Sequence, residues 1–316
     1  TTMISNEFIK VCSKSFSKNL SLREQLLSHF PNAQFNDNGV NFTTDKFAEF
    51  VGDSIAIIAG LEPVNAEFLD QCRDLKFISK FGVGIDNIDL DATKKHGVLV
   101  GWSGGLNCRS VSELVLCYMI GLTRNIFFSS RKLIEDNDWS KNGGQELSGK
   151  VVGIIGLGHI GKDLAKLLKP FGCRILVNDV IDQTDYYEEN DLIYCSKPDI
   201  FEQSDILTVH TPLNQSTEKL FDLEVFKKMK DTSYFINCAR GGLVVQSDLK
   251  SALQEDQIAG AAIDVFEAEP SNDQELLLLP NLICKPHIGG SSSQATIEMG
   301  RSAISHLISF FSDLHE

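Results

Sequence analysis

Three stretches of this chain carry side chains suited to moving a proton beside a carbonyl: Asn237-Cys-Ala-Arg240-Gly241-Gly242, Asp264-Val-Phe-Glu-Ala-Glu269-Pro270 and Lys285-Pro286-His287-Ile288-Gly289. An arginine can hold a carboxylate and polarise the carbonyl next to it, and a histidine can give or take a proton near neutral pH. A carboxylate beside the imidazole tunes the pair. Arg240, His287 and Glu269 are therefore the cation, the proton donor and the donor's partner that reduction of a 2-oxo acid requires. Singly each has a plainer reading, as a solvated arginine, a turn glutamate before proline and a surface histidine. What joins them is a hydride source upstream. Val151-Val-Gly-Ile-Ile-Gly156-Leu-Gly158-His159-Ile160-Gly161 runs from an apolar strand through GxGxxG into a helical pattern. Gly156 permits the tight turn, Gly158 lets a pyrophosphate approach the backbone, and Gly161 lets helix and strand pack closely. The helix N-terminus at His159 and Ile160 offers free N–H groups to the phosphates. Asp179 closes the next strand, eighteen positions after Gly161, where a carboxylate accepts from the adenosine ribose hydroxyls. That selects NAD over NADP.

The elements that must position these residues fall into two series. Short apolar runs at Phe8–Cys12, Ile55–Ala59, Phe77–Ser79 and Val98–Val100 alternate with helical segments, the rhythm of a parallel βα domain. A second series, Val151–Ile155, Arg174–Asp179, Ile206–Val209, Ser233–Asn237, Ala259–Asp264 and Leu282–Lys285, predicts a six-stranded doubly wound sheet. All three chemical stretches then start at carboxyl ends of neighbouring strands. Val111–Asn125, continuing amphipathically to Trp139, predicts one long helix that links the domains or packs on a second subunit. Ala295–Leu314 predicts a final helix that could cross back to the first domain.

The ordered set of motifs, with Gly82-Val-Gly-Ile-Asp-Asn-Ile-Asp89 and Val209-His-Thr-Pro-Leu213 added, resembles the D-isomer-specific 2-hydroxyacid dehydrogenases over Ile55–Gly290, with phosphoglycerate dehydrogenases the nearest among them. The resemblance implies a Rossmann NAD-binding domain, residues 103–289, inserted into a flavodoxin-like substrate domain, residues 1–102 and 290–316. It implies that Arg240 holds the substrate carboxylate and carbonyl, that His287 is the general acid/base and that Glu269 pairs with it. The backbone of Val83 and Gly84 would also bind the substrate carboxylate. Asp264 would bind the nicotinamide carboxamide, and His210-Thr211-Pro212, Cys238-Ala239 and Gly289 would line the cofactor. Asn107, within Asn107-Cys-Arg-Ser-Val-Ser-Glu113, is implied as a substrate contact. Lys80 and Lys141 are placed to meet a substrate phosphate. Ala59-Gly60 stands where those relatives often carry a basic residue, and Trp102 and Gly104 replace the usual Asn and Pro of the interdomain crossing.

Composition narrows the partners. With 29 basic and 43 acidic residues the net charge is −14, which repels nucleic acid and anionic membranes and requires a local basic site for an anionic substrate. Eight cysteines, with no CxxC pair and no zinc-ligand spacing, read as reduced, mostly buried thiols. No metal is expected. Thr1–Ser13 contains no apolar run of signal-peptide length, so the expected compartment is the cytoplasm and the expected assembly a homodimer. Two rival readings remain open: a relative acting on glyoxylate, hydroxypyruvate or another 2-oxo acid, and a non-catalytic NAD sensor like the corepressors that this family also resembles.

Overall fold

Runs of three to five β-branched and apolar residues flanked by helices form parallel strands covered on both faces, and the computed structural model, which describes residues 8–315, contains two such sheets. Residues 1–7 of the Thr1–Ser13 stretch lie outside the described residues. The first sheet has β1 (Ile9–Val11), β2 (Gln34–Phe35), β3 (Ala56–Ala59), β4 (Phe77–Lys80) and β5 (Leu99–Gly101) in the order β2-β1-β3-β4-β5. That is the flavodoxin-like order, all parallel. Successive residues serve opposite faces: Ile58 packs with Phe16, Leu22 and Leu26, whereas Ile57 packs with Phe47, Val51 and Phe68. The final helix, Ser293–His315, covers the Ile58 face with Ala303, Leu307 and Phe311. Ser79 Oγ donates to Ala303 O at 2.7 Å, and a Cβ on Gly101 would lie 2.7 Å from His306 Cβ, so Gly101 is what admits this helix.

The second sheet has β6 (Val151–Ile155), β7 (Arg174–Asn178), β8 (Ile193–Tyr194), β9 (Ile206–Val209), β10 (Tyr234–Asn237), β11 (Gly260–Ile263) and β12 (Leu282–Cys284). Their order, β12-β11-β10-β9-β6-β7-β8, is the doubly wound order, with the topological switch between β6 and β9. The expected six strands are seven. β8 is a two-residue exposed edge strand that carries no apolar run, and β2 escaped the sequence reading for the same reason.

The long helix expected over 111–139 is two helices, Cys108–Thr123 and Ile126–Asp136, bent by 61°. Asn125 takes the left-handed conformation at the break, φ 55°, which Asn tolerates better than most residues. A Cβ on Gly121 would lie 2.2 Å from the Phe127 ring, so this glycine lets the second helix fold onto the first. Of the cysteines only Cys12, Cys72 and Cys238 are buried, Cys117 is exposed, and none is in a disulfide; "mostly buried" was too strong because helix faces and strand ends leave the others partly open. Among the described residues no single helix is long and apolar enough to cross a membrane. Contacts divide the chain into two compact units that change over after Asn107 and Ser291.

Candidate active site

The register of the second sheet sets the site. Ile155 pairs with Val209, Val209 with Asn237, Asn237 with Ile263 and Ile263 with Cys284. Five strands therefore end on one line, and the residues that follow (Gly156, His210, Cys238, Asp264, Lys285) share one edge at strand spacings of about 4.8 Å.

At the switch point the glycine loop is built as its spacing requires. Gly156 has φ 93°, and a Cβ there would lie 2.8 Å from the His210 carbonyl oxygen. Gly158 precedes the helix His159–Leu168, and a Cβ on it would meet nothing within 4 Å, leaving the helix N-terminus open. A Cβ on Gly161 would meet Gly156 O at 2.3 Å, which fixes why helix and turn can touch. Asp179 accepts from Leu157 N–H at 2.5 Å through Oδ2 and from Ile181 N–H at 2.9 Å through Oδ1. The acid thus braces the glycine loop, and each oxygen keeps a further lone pair for a ribose hydroxyl.

The next strand end also suits a cofactor. His210 Nδ1 and Thr211 Oγ1 are buried with no hydrogen-bond partner, an arrangement that a polar ligand at this edge would relieve. His210 Nε2 lies 3.0 Å from Thr208 Oγ1, and burial pushes its imidazole down to about 3, so the ring is neutral at physiological pH. Pro212 follows on the exposed side. Cys238 and Ala239 are buried, and burial raises the Cys238 thiol well above its ordinary value, so it stays protonated. These groups fit a dinucleotide lying across β6 and β9.

The chemical residues leave β10, β11 and β12. Asn237 shapes the first departure: its Oδ1 accepts from Ala239 N–H at 3.0 Å and its Nδ2 donates to Arg240 O at 2.9 Å. Arg240 Nη1 donates to Ala239 O at 2.8 Å. A Cβ on Gly241 would lie 1.9 Å from Phe266 O, so only glycine lets the β10 and β11 loops meet there. His287 Nδ1 is 2.8 Å from Glu269 Oε2, and Glu269 Oε1 accepts from Phe266 N–H at 3.1 Å. A carboxylate can only accept, so Nδ1 carries a proton, which leaves Nε2 as the nitrogen available to a ligand. His287 itself has φ 55°, a conformation costing of order 1 kcal/mol or more that persists where surroundings impose it. The surroundings are Asp264, which accepts from Ile288 N–H at 2.8 Å and Gly289 N–H at 2.6 Å, and Ser110, whose hydroxyl donates to Gly289 O at 2.6 Å. Burial raises the Asp264 carboxyl, and the two N–H bonds work against that. Asp264, expected at the carboxamide, holds the histidine loop, which the sequence did not show.

Of the remaining expected residues, Lys80, Val83, Gly84 and Asn107 belong to the first unit and Lys141 to the second. Val83 and Gly84 form the half-buried turn after β4, and Asn107 is half-buried where the first unit ends. Lys80 is 3 % exposed, with its ammonium donating to Gly60 O and to Asn87 Oδ1 at 2.9 Å. Lys141 is exposed, in the stretch 137–146 that belongs to no helix or strand. Among the described residues no group of three or more His, Cys, Asp or Glu is placed to hold a metal ion.

An open α/β sheet with a glycine loop at its switch point and an acid–histidine pair at the same edge defines a nicotinamide-dependent oxidoreductase class. Residues 116–289 match the family described as D-isomer specific 2-hydroxyacid dehydrogenase, NAD binding domain. The chain is 33% identical over 256 residues to D-3-phosphoglycerate dehydrogenase of Bacillus subtilis, covering 80% of this chain and 49% of that protein. It is 33% identical over 252 residues to hydroxypyruvate reductase of Thermotoga maritima, covering 78% and 81%. The solved, NAD-complexed D-isomer specific 2-hydroxyacid dehydrogenase of Lactobacillus delbrueckii ssp. bulgaricus superposes with a TM-score of 0.78 at 25% identity, covering 97% of each chain. The chain belongs to the D-isomer specific 2-hydroxyacid dehydrogenases, a family of NAD-dependent enzymes acting on CH–OH donors. It spans about half the length of the phosphoglycerate dehydrogenase it matches.

Proposed function

We propose that this protein reduces a 2-oxo acid to its D-2-hydroxy acid, or the reverse, with NAD as cofactor, and that Arg240, Glu269 and His287 carry the chemistry. The observation that carries the reading is the 2.8 Å pair between His287 and Glu269 on the strand edge that also bears the glycine loop. NADH supplies the hydride that C2 receives. Arg240 binds the substrate carboxylate and draws charge toward the carbonyl oxygen. His287, protonated on both ring nitrogens, donates its Nε2 proton to that oxygen as the C2 alcohol forms, and Glu269, accepting from Nδ1–H, holds the ring in orientation and offsets its charge. In oxidation the same ring takes the proton back. The backbone N–H groups of Val83 and Gly84 are assigned to the substrate carboxylate, as the family resemblance implies.

For the substrate, a 3-phosphorylated acid, as for phosphoglycerate dehydrogenase, is supported by similarity to that enzyme, with Asn107 and Lys141 as contacts. Hydroxypyruvate or glyoxylate is the second reading, and the engagement of the Lys80 ammonium with Gly60 and Asn87 favours it. We assign the assembly as a homodimer: the helix Ile126–Asp136 buries none of its residues, and Ile126, Leu133 and Ile134 are exposed. Such a face is covered in a stable assembly. Unpaired thiols suit a cytoplasmic setting. NADH oxidation with glyoxylate, hydroxypyruvate and phosphohydroxypyruvate tests the reading: turnover of at least one confirms the reaction class and their ratio selects the substrate, whereas NADH binding without turnover of any makes the protein an NAD sensor.

A further inference from the structure

The turn Gly82–Asp86 is held from two sides by groups that the reaction chemistry leaves unused. Beneath it lies Lys80, whose ammonium bridges the Gly60 carbonyl and Asn87 Oδ1. Asn87 closes the ring, its Nδ2 donating to Gly60 O at 3.1 Å and to Glu62 O at 2.6 Å. Both of those partners are carbonyls that only accept, so the amide must turn its oxygen to Lys80. Lys80 and Asn87 flank the turn in sequence, so one three-way contact pins both of its ends to the segment 60–62. A Cβ on Gly82, where φ is 126°, would lie 3.6 Å from Lys80 Cε and 3.9 Å from Nζ. The cation therefore sits directly under the turn's backbone.

From the side comes Trp102, 42% exposed, whose indole N–H donates to Val83 O at 2.8 Å. The Val83 carbonyl and the Gly84 N–H belong to one planar trans peptide, in which they point in opposite directions. Fixing Val83 O on Trp102 thus fixes the Gly84 N–H to point away from the indole. A hydrogen bond accepted at the carbonyl also polarises the N–H of the same peptide. Sequence comparison singled out Trp102 only as a departure, and the structure supplies its partner.

We propose that Lys80 and Trp102 are positioning residues that hold the Gly82–Gly84 turn in the shape that binds the substrate's carboxylate, so that they serve every 2-oxo acid alike. This rests on the assignment of Val83 and Gly84 as carboxylate donors. Lys80 then touches no substrate phosphate. The carboxylate is common to all candidate substrates, so loss of either hold raises KM by the same factor for each.

The test compares Lys80→Met, Lys80→Arg and Trp102→Phe with hydroxypyruvate, glyoxylate and phosphohydroxypyruvate. Losing one bond that shapes an anion site is expected to raise KM about tenfold for every substrate turned over. NADH affinity and kcat should change little, and Lys80→Arg should recover most of the loss; a purely structural role would lower Tm without this KM-against-kcat split. Unchanged KM in Lys80→Met and Trp102→Phe proteins that still bind NADH overturns the proposal, and a rise confined to phosphohydroxypyruvate makes Lys80 a phosphate contact and overturns it equally. A second measurement leaves the turn intact: the chain has two tryptophans, so in a Trp139→Phe protein excited beyond the tyrosine band Trp102 is the only emitting tryptophan. Oxalate titrated at saturating NAD should change that emission at the concentrations where it inhibits, and silence there overturns the role of Trp102 even if the loop variants fail to fold. Gly84→Pro, which deletes the donor itself, separates the two levels. If its KM is unchanged the carboxylate assignment falls and the proposal with it; if its KM rises while Lys80→Met and Trp102→Phe are normal, only the proposal falls.

Discussion

Cofactor choice follows from a carboxylate that cannot move away. Asp179 is tied through both oxygens, to Leu157 N–H at 2.5 Å and Ile181 N–H at 2.9 Å, so a 2′-phosphate would meet it in place. That phosphate carries roughly −1.5 to −2 charges, and each unit charge at ~4 Å costs about 1 kcal/mol in water and up to ~4 kcal/mol near a protein surface. No Lys or Arg occurs between Val180 and Ser196 to offset it, while Asp182, Asp185, Glu188, Glu189 and Asp191 add negative charge. Loss of ribose hydroxyl bonds to a charged acceptor adds about 1.5–3 kcal/mol. The low end of the sum, about 3 kcal/mol, already corresponds to a preference for NADH over NADPH of about a hundredfold. Asp179→Ala removes the repulsion and the ribose acceptor, but it also releases the Leu157 N–H that braces the glycine loop. NADH should therefore weaken by about 10- to 100-fold, on the same hydrogen-bond scale, while NADPH gains. The assay is kcat/KM with each cofactor for both proteins. A wild-type enzyme that used NADPH as well as NADH would refute the reasoning.

Two further predictions concern stability and packing. Because burial holds His210 at about 3, the unfolded chain binds a proton below about 6.5 that the folded chain refuses; stability is full above that pH and falls toward pH 3 by about 1.4 kcal/mol per unit. His210→Gln should flatten the fall by about 2–3 kcal/mol between pH 6.5 and 4.5 in thermal melts, and parallel curves for the two proteins would contradict it. Gly241→Ala, with its methyl driven into the Phe266 carbonyl, should cost about 1–3 kcal/mol or more and displace Arg240. It should lower kcat/KM while NADH still binds, and a fully active, equally stable variant would show that the two loops do not meet as described.

The parallel sheets, the glycine turn and the Glu269–His287 pair were legible because each rests on local pattern: apolar runs for strands, φ and close approach for Gly156 and Gly161, and residue type at strand ends for Glu269 and His287. What was not legible depends on partners far apart in sequence. β2 and β8 exist because a neighbour's edge is available, as with Ile193 and Tyr194 beside Leu176 and Val177. The break at Asn125 depends on Phe127 closing over Gly121. The type of Lys80 was visible in the sequence and its burial was not; Asn87, Gly60 and Trp102 gave no sign of converging on one turn. Asn237 could have been found, since an Asn two residues before a turn commonly bonds the backbone ahead of it. The two hydrogen bonds that Asp264 accepts from Ile288 N–H and Gly289 N–H join two separate strand ends and could not.

The central claim is that His287, oriented by Glu269, gives the proton that hydride transfer to C2 requires. Its direct measurement is kcat for NADH-dependent reduction by wild type, His287→Ala and Glu269→Gln on the best 2-oxo acid, with NADH affinity measured in parallel by fluorescence. His287→Ala should lose about 10²–10⁴-fold in kcat with NADH affinity unchanged, the usual worth of a positioned acid. Glu269→Gln keeps an acceptor for Nδ1 but loses its charge, and should lose about 10- to 100-fold. Near-normal turnover by His287→Ala would contradict the account.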